Sequence, residues 1–184
     1  MTVWWLVTWG TYGSWLPGDP RGFRTWRRRE YVPPPDGRAL GGEPLYDPAA
    51  YAERHRRARE RLTAPPVCLT LTDRRIACSA LVAEIDHLRI VPAILAVAKS
   101  HVHLVAQFGE IKIRTVVGRL KAAATRSLRQ GALTTAPTWA TGCHMKSLYR
   151  EADFTAGFRY VVEHREEGAV LHRWDSNIEW TFDG

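Results

Sequence analysis

Two apolar segments of strand length, joined by only two polar residues, constrain the fold of this chain more than any other feature. They lie within the run from Ile94 to Phe108, on either side of Lys99 and Ser100. Their length and short connection predict a hairpin of buried strands. In the second segment His101 and His103 alternate with apolar residues. Residues i and i+2 of a strand point to the same face, so the two imidazoles are expected side by side.

Further strands and helices are predicted around this hairpin. A first strand is expected over 3–9, a strand region over 139–149, and amphipathic helices over 48–62, 70–87, 111–130 and 151–166. Four strands with helices on one side predict an α+β fold of ferredoxin-like (RRM-like) type, with an antiparallel sheet of about four strands.

A single domain spanning 1–184 fits the length of the chain. A Pro-, Gly- and Arg-rich insertion is expected at about 18–66. Its part between Thr25 and Ala49 is expected to lack regular structure, because Pro33-Pro34-Pro35 lies in the middle of it. The tail, at about 168–184, is predicted to be irregular or to add one short strand.

The net charge of +7 favours a polyanionic partner, and nucleic acid is the leading candidate. The arginines cluster over 21–29 and 54–61. A basic protein without such a partner has the same composition, and a charged helix face is commonly just solvated. The eight tryptophans suit stacking on unpaired bases, but they suit a packed core equally well.

No membrane span is expected, because no apolar run approaches about 18 residues. The apolar start of the chain lacks a basic leader and a cleavage site, so it predicts a strand and not a signal peptide. The three cysteines, Cys68, Cys78 and Cys143, are odd in number and widely spaced. They predict no disulfide framework and fit a reducing cytoplasm.

Chemistry is suggested by the two strand histidines and by a later helix. Adjacent imidazoles on a strand can bind one divalent metal, although two merely hydrogen-bonded histidines would show the same spacing. In the last predicted helix Tyr160 and His164 are four residues apart and share a face. That face is expected roughly opposite the apolar stripe, which favours a functional tyrosine over a packing one. An exposed amphipathic tyrosine remains the alternative, and Tyr149, at a strand end, is a second candidate nucleophile.

These features together resemble the REP-associated tyrosine transposases, in the single-tyrosine branch of the HUH endonucleases (IS200-like transposases). The resemblance covers about residues 3–170. It is carried by His101-Val-His103, by Tyr160 with a polar residue four positions later, by the opening segment from Val7 to Gly22, and by the basic helix around Lys121 followed by Trp139.

The resemblance implies a metal-dependent endonuclease and strand transferase acting on single-stranded or hairpin DNA. Tyr160 would form a 5′-phosphotyrosine and release a 3′-hydroxyl. Mg²⁺ or Mn²⁺ would be held by His101, His103 and His164. Relatives carry Gln or Asn where this chain has His164, and their Tyr-x-x-x-Asn-Pro pattern is absent, so His164 favours Mn²⁺ over Mg²⁺. The protein would work as a monomer or a homodimer.

DNA phosphates are expected to contact basic residues of the opening loop and of the third predicted helix. The candidates are Arg21, Arg24, Arg114, Arg119, Lys121 and Arg126. Two other functions stay open from the sequence. One is a domesticated DNA-binding protein of the same fold without catalysis, and the other is a hydrolase of small phosphates, which would have a deep enclosed pocket.

Overall fold

The computed structural model describes residues 3–24, 31–32, 47–131 and 137–174. Within these ranges seven strands and four helices follow one another along the chain. In chain order they are β1 (Trp4–Gly10), β2 (Phe23–Arg24), β3 (Tyr31–Val32), α1 (Pro48–Glu60), α2 (Leu71–Asp86), β4 (Val91–Val97), β5 (His101–Gln107), α3 (Ile113–Gln130), β6 (His144–Leu148), α4 (Glu151–Glu163) and β7 (Val170–Arg173).

Five of the strands form one antiparallel sheet in the order β6-β1-β5-β4-β7. The predicted hairpin is confirmed: β4 and β5 pair directly, and the backbone N–H of Ala98 donates to the carbonyl of His101 at 2.9 Å. β5 lies at the centre of the sheet with β1 on its other side. The α+β fold class predicted from the sequence is confirmed, and the tail supplies the fifth strand, β7.

Helices cover both faces of the sheet, so the expectation that they all lie on one side was wrong. One face packs against α2 and α3 through Leu104, Leu81 and Leu120. The other face packs against α4 through Val105 and other core residues. Because side chains alternate along a strand, a strand buried on both sides reads as continuously apolar, as β4 does. A pattern of that kind does not show on which face each helix lies.

The helix starts follow local sequence rules. Thr70 and Asp73 form a reciprocal capping box at the start of α2, in which the side chain of each residue accepts from the backbone N–H of the other. Asp47 accepts from the N–H of Ala49 and precedes Pro48 at the start of α1. These predicted starts are confirmed, because a cap is decided by residues adjacent in the chain.

The Pro-rich insertion and the end of the last helix differ from the prediction. The segment expected to lack regular structure contains β3, which pairs with β2 in a separate two-stranded sheet. Pro33-Pro34-Pro35 lies outside the described residues. α4 ends at Glu163 and not at residue 166, and turns over 164–168 lead into β7. Assignment of the whole chain to one domain with a long insertion stays a prediction.

None of the helices in the described ranges is long and apolar enough to cross a membrane.

Candidate functional site

His101, His103 and His164 come together on the α4 face of the sheet. Each offers one ring nitrogen, and these nitrogens lie within 4.8 Å of one another. The Nε2 atoms of His103 and His164 are 3.2 Å apart. The two strand histidines are neighbours because of the period of the strand, as expected. His164 joins them because it is the C-cap of α4, which ends above β5.

Each of the three imidazole rings is oriented by a hydrogen bond at its Nδ1 atom. The Nδ1 of His164 lies 2.8 Å from the carbonyl oxygen of Tyr160; a carbonyl only accepts, so this Nδ1 donates, and Nε2 is the nitrogen left to face the other rings. The Nδ1 of His103 lies 2.7 Å from the hydroxyl of Thr8. The Nδ1 of His101 lies 3.3 Å from the hydroxyl of Ser100.

This donor set fits a metal ion. Metal-binding histidines usually donate one ring N–H to a carbonyl or other acceptor and use the second nitrogen as ligand. The 3.2 Å between the Nε2 atoms of His103 and His164 is about the spacing of two nitrogens that share an ion at about 2.1 Å each. Three imidazoles suit borderline transition metals better than Mg²⁺, which prefers oxygen ligands.

Burial keeps the strand imidazoles uncharged, which is the form that binds metal. His103 is 3% exposed. Burial, reinforced by the neighbouring charge of His164, lowers the pKa of His101 to about 4. Burial, with repulsion from His101 and His164, lowers the pKa of His103 to about 2. At neutral pH both rings therefore present lone pairs without first losing a proton.

Tyr160 stands beside this cluster and remains 45% exposed. Its ring centroid is 5.1 Å from that of His103 and 4.7 Å from that of His164. Partial burial, and then the nearby carboxylate of Glu167, raise the pKa of the phenol above its usual value. The tyrosine and the three histidines belong to one chain, so this arrangement needs no second subunit. Tyr149, the other candidate nucleophile, follows β6 and is 64% exposed.

The expectation that Tyr160 and His164 share a face opposite the apolar stripe was wrong for His164. His164 is 6% exposed and follows Gly157 and Val161 along the side of α4 that packs on the sheet. Residues seven, four and three positions apart fall on one side of a helix. Because histidine is polar, the predicted apolar stripe did not include His164, although its position continues that stripe.

Three of the basic candidates are engaged within the protein. Arg21 forms an ion pair with Asp19 at 2.8 Å, and Arg119 forms one with Glu84 at 2.8 Å. The ammonium of Lys121 donates to two backbone carbonyls, those of Ala140 at 2.7 Å and of Gly142 at 2.6 Å. Burial also lowers the pKa of Lys121. Lys121 therefore holds the 140–142 segment in place, and its ammonium is turned toward the protein.

Arg114 and Arg126 lie differently, along an open groove of about 650 Å³ between α3 and the segment 137–143. Arg129 lines the same groove, and Trp139 forms part of its wall. Trp139 is fixed there because its indole N–H donates to the carbonyl of Lys121 at 3.1 Å. Arg24 belongs to β2, and its side chain lies outside what the structure describes.

Two residues beside the site, Thr8 and Glu167, were not predicted from the sequence. Thr8 pairs with His103 across β1 and β5, a register that only the folded sheet fixes. A single polar residue in an otherwise apolar strand is the signal that could have drawn attention to it. Glu167, in the turn after α4, places a carboxylate charge near Tyr160 and His101. The sequence shows that Glu167 follows His164 by three residues, but it does not predict the turn that brings the carboxylate close.

Comparison with solved structures identifies a similar fold. A REP-associated tyrosine transposase bound to a REP hairpin aligns with 91% of this chain and 70% of its own, with a TM-score of 0.52 and 10% sequence identity. At that identity the similarity shows a shared fold. No family model matches the chain, and neither does any curated protein.

Proposed function

We propose that this protein is a metal-dependent single-stranded DNA endonuclease and strand transferase that uses Tyr160 as its nucleophile. The observation that carries the proposal is the convergence of three imidazoles and a half-exposed tyrosine at one place on the sheet. The fold shared with a REP-associated tyrosine transposase supports it. Neither observation alone specifies the chemistry, but together they match a site for phosphoryl transfer to a tyrosine.

His101, His103 and His164 would hold the ion, and we propose Mn²⁺ in preference to Mg²⁺. A bound divalent ion supplies Lewis-acid stabilisation of the charge that develops on the phosphate oxygens. The chain itself fixes the ligand geometry, because Thr8 and the carbonyl of Tyr160 hold the Nδ1 atoms of His103 and His164. These contacts set the direction of the lone pairs before any ligand arrives, which lowers the reorganisation needed on binding.

In the proposed reaction the phenol oxygen of Tyr160 bonds to phosphorus as the bond from phosphorus to the 3′ oxygen breaks. The products are a 5′-phosphotyrosine and a 3′-hydroxyl, and the phenolic proton balances the charge of the departing oxygen. The phosphodiester is conserved, so the reverse attack by another 3′-hydroxyl rejoins DNA. The raised pKa of Tyr160 means that the phenol is protonated at neutral pH, so its proton must leave during the attack.

The open position of the site favours a long substrate over a small phosphate. Tyr160 is 45% exposed, whereas a hydrolase of small phosphates is expected to enclose its nucleophile. The groove beside α3, with Arg114 and Arg126 on it, offers additional phosphate contacts that a long strand could reach and a small phosphate could not. We therefore propose single-stranded or hairpin DNA as substrate, with these two arginines as backbone contacts.

The decisive test is the covalent adduct. Purified protein is incubated with Mn²⁺ and 5′- or 3′-labelled single-stranded and hairpin oligonucleotides, and adducts are resolved on denaturing gels. Label 3′ to the cut should become attached to the protein, and Tyr160→Phe should abolish the attachment. Tyr149→Phe is the matched control and should retain it. Tyr149 follows Leu148, which pairs with Trp4, and Trp4 pairs with Gln107 at the other end of β5 from His101.

An adduct that persists in Tyr160→Phe would disprove the role of this tyrosine. Salt-sensitive DNA binding without an adduct under any condition, unaffected by His103→Gln, would favour the non-catalytic DNA-binding protein. Cleavage of mononucleotides or other small phosphates with no preference for polynucleotides would favour the small-phosphate hydrolase.

A further inference from the structure

The opening loop, residues 11–22, lies directly beside the first histidine of the site. The backbone N–H of Thr11 donates to the carbonyl of Ser100 at 2.8 Å. Gly10 pairs with His101 across the sheet. A Cβ atom built on Gly10 would lie 2.8 Å from the hydroxyl oxygen of Ser14, so the loop folds back closely over this end of the strand. The start of the loop, from Thr11 to Ser14, therefore lies next to the first histidine of the cluster.

This loop presents an indole that is both exposed and fixed. Trp15 is 53% exposed, which is unusual for the largest apolar side chain. Its indole N–H donates to the carbonyl of Gly22 at 2.7 Å, a bond that closes the loop on itself. The ring therefore has a set orientation although half of its surface faces water.

A guanidinium is fixed next to that ring. The central carbon of the Arg21 guanidinium lies 5.0 Å from the centroid of the Trp15 ring. Asp19, which is buried, accepts from the Nε of Arg21 at 2.9 Å and from its terminal nitrogen at 2.8 Å. The same terminal nitrogen donates to the carbonyl of Ser14 at 2.7 Å. More than half of the Arg21 side chain nevertheless stays exposed, at 56%.

We infer that Trp15 and Arg21 form a subsite for one unpaired nucleotide next to the histidine cluster. The base stacks on the face of the Trp15 indole that Arg21 does not cover, and the adjoining phosphate contacts the guanidinium of Arg21. Stacking on an aromatic side chain requires a base that is free of its duplex partner, and it tolerates all four bases because each has a π face. The subsite therefore selects single strands, and it deepens the proposed function, on which it rests, by naming what distinguishes the substrate from duplex DNA.

The test separates base stacking from charge. Binding is measured by fluorescence anisotropy in EDTA on the Tyr160→Phe background, so that neither metal nor cleavage contributes. The probes are labelled twelve-nucleotide oligothymidylate and an abasic backbone of the same length and charge. The parent should prefer oligothymidylate, and Trp15→Ala should reduce that preference by about five- to a hundredfold, the loss that corresponds to one stacked base.

Arg21→Ala should instead weaken both probes to a similar degree. It should also reduce the slope of log affinity against log salt by about 0.7, the value for one phosphate contact on a single strand. Trp15→Phe should keep a large part of the preference for oligothymidylate, because phenylalanine stacks but cannot donate to Gly22. Tyr149→Ala removes an aromatic of similar exposure at the other end of the sheet and should leave the preference unchanged.

The inference is wrong if Trp15→Ala leaves the preference within about twofold of the parent, or if Tyr149→Ala reduces it as much. It is also wrong if Trp15→Phe loses as much as Trp15→Ala, because the loss would then follow from the broken bond to Gly22. A parent protein that binds the abasic probe as tightly as oligothymidylate would overturn it as well. A normal preference in this assay, together with no covalent adduct when the protein that retains Tyr160 is incubated with Mn²⁺ and DNA, would refute the proposed nuclease activity while leaving the nucleotide subsite in place.

Discussion

Acidification of the metal-free protein should destabilise it through His101 and His103. The pKa of an unfolded histidine is about 6.5, whereas burial lowers the folded values to about 4 for His101 and about 2 for His103. Below pH 6.5 the unfolded chain therefore binds protons that the folded protein does not accept. Stability rises with pH wherever the unfolded state binds more protons. The loss begins as the pH falls through 6.5 and is complete for each residue only at its folded pKa.

The magnitude follows from these values. Between pH 7 and pH 5, a histidine whose pKa changes from 6.5 to about 4 loses about 2 kcal/mol of folding free energy. His103 loses about the same amount over this interval, because its folded pKa of about 2 lies far below it. The pair together should lower the free energy of unfolding by about 4 kcal/mol. That is a large fraction of the 5–15 kcal/mol typical of a folded domain.

The assay is urea unfolding in EDTA at pH 7 and pH 5, followed by far-ultraviolet circular dichroism. His101→Gln and His103→Gln should each reduce the difference between the two pH values by about 2 kcal/mol, and the double variant should remove about 4 kcal/mol of it. Because each variant is compared with itself at the two pH values, the effect of the substitution on stability at pH 7 cancels. His87→Gln is the matched control, since His87 is exposed and caps the end of α2.

Neutral buried imidazoles are ruled out as the cause if the double variant shows the same pH dependence as the parent. They are equally ruled out if His87→Gln reduces the difference as much as His103→Gln does. The first result would mean that the imidazoles of the cluster titrate near their ordinary pKa, and the second would mean that the pH dependence is not specific to the cluster.

Three further predictions concern the metal, the groove and the opening loop. Mn²⁺ at a hundred times its dissociation constant should stabilise the protein by about 2.7 kcal/mol and raise its melting temperature by about 5–10 °C; His103→Gln should abolish the shift, and retention of the full shift would argue against this site. The double variant Arg114→Ala/Arg126→Ala should reduce the salt slope of single-stranded DNA binding by about 1.4, and an unchanged slope would remove the groove from the DNA path. Gly18→Ala should destabilise the protein by about 1–3 kcal/mol and expose α1 to trypsin, because the new Cβ would lie 2.6 Å from backbone atoms of that helix. Gly142→Ala, with a similar positive φ but open space around it, is the control and should have a smaller effect on both readouts.

Placement of the basic side chains shows the limit of composition as a guide to DNA contacts. Arg119 and Lys121 lie on the same helix as Arg114 and Arg126 and have the same charge. In the fold Arg119 pairs with Glu84 of α2, and Lys121 donates to backbone carbonyls. Partners that lie tens of residues away along the chain decide which cations can meet a phosphate, and the sequence does not show them.

The sequence by itself determined the features that depend on neighbouring residues. The period of a strand placed His101 and His103 side by side, and local side-chain bonds started α2 at Leu71. The apolar hairpin required a sheet with β4 and β5 adjacent. These are consequences of backbone geometry over a few residues, and the tertiary structure does not change them.

Only the tertiary structure decided what completes the site. Pairing of β1 with β5 brought Thr8 to His103, and packing of α4 on the face opposite α2 and α3 buried His164 against the same ring. Such contacts join residues 61 to 95 positions apart. Their formation depends on which apolar faces can be buried together, a property of the whole chain that no local pattern contains. The two strand histidines thus followed from the sequence, whereas the third histidine became buried beside them only through the fold.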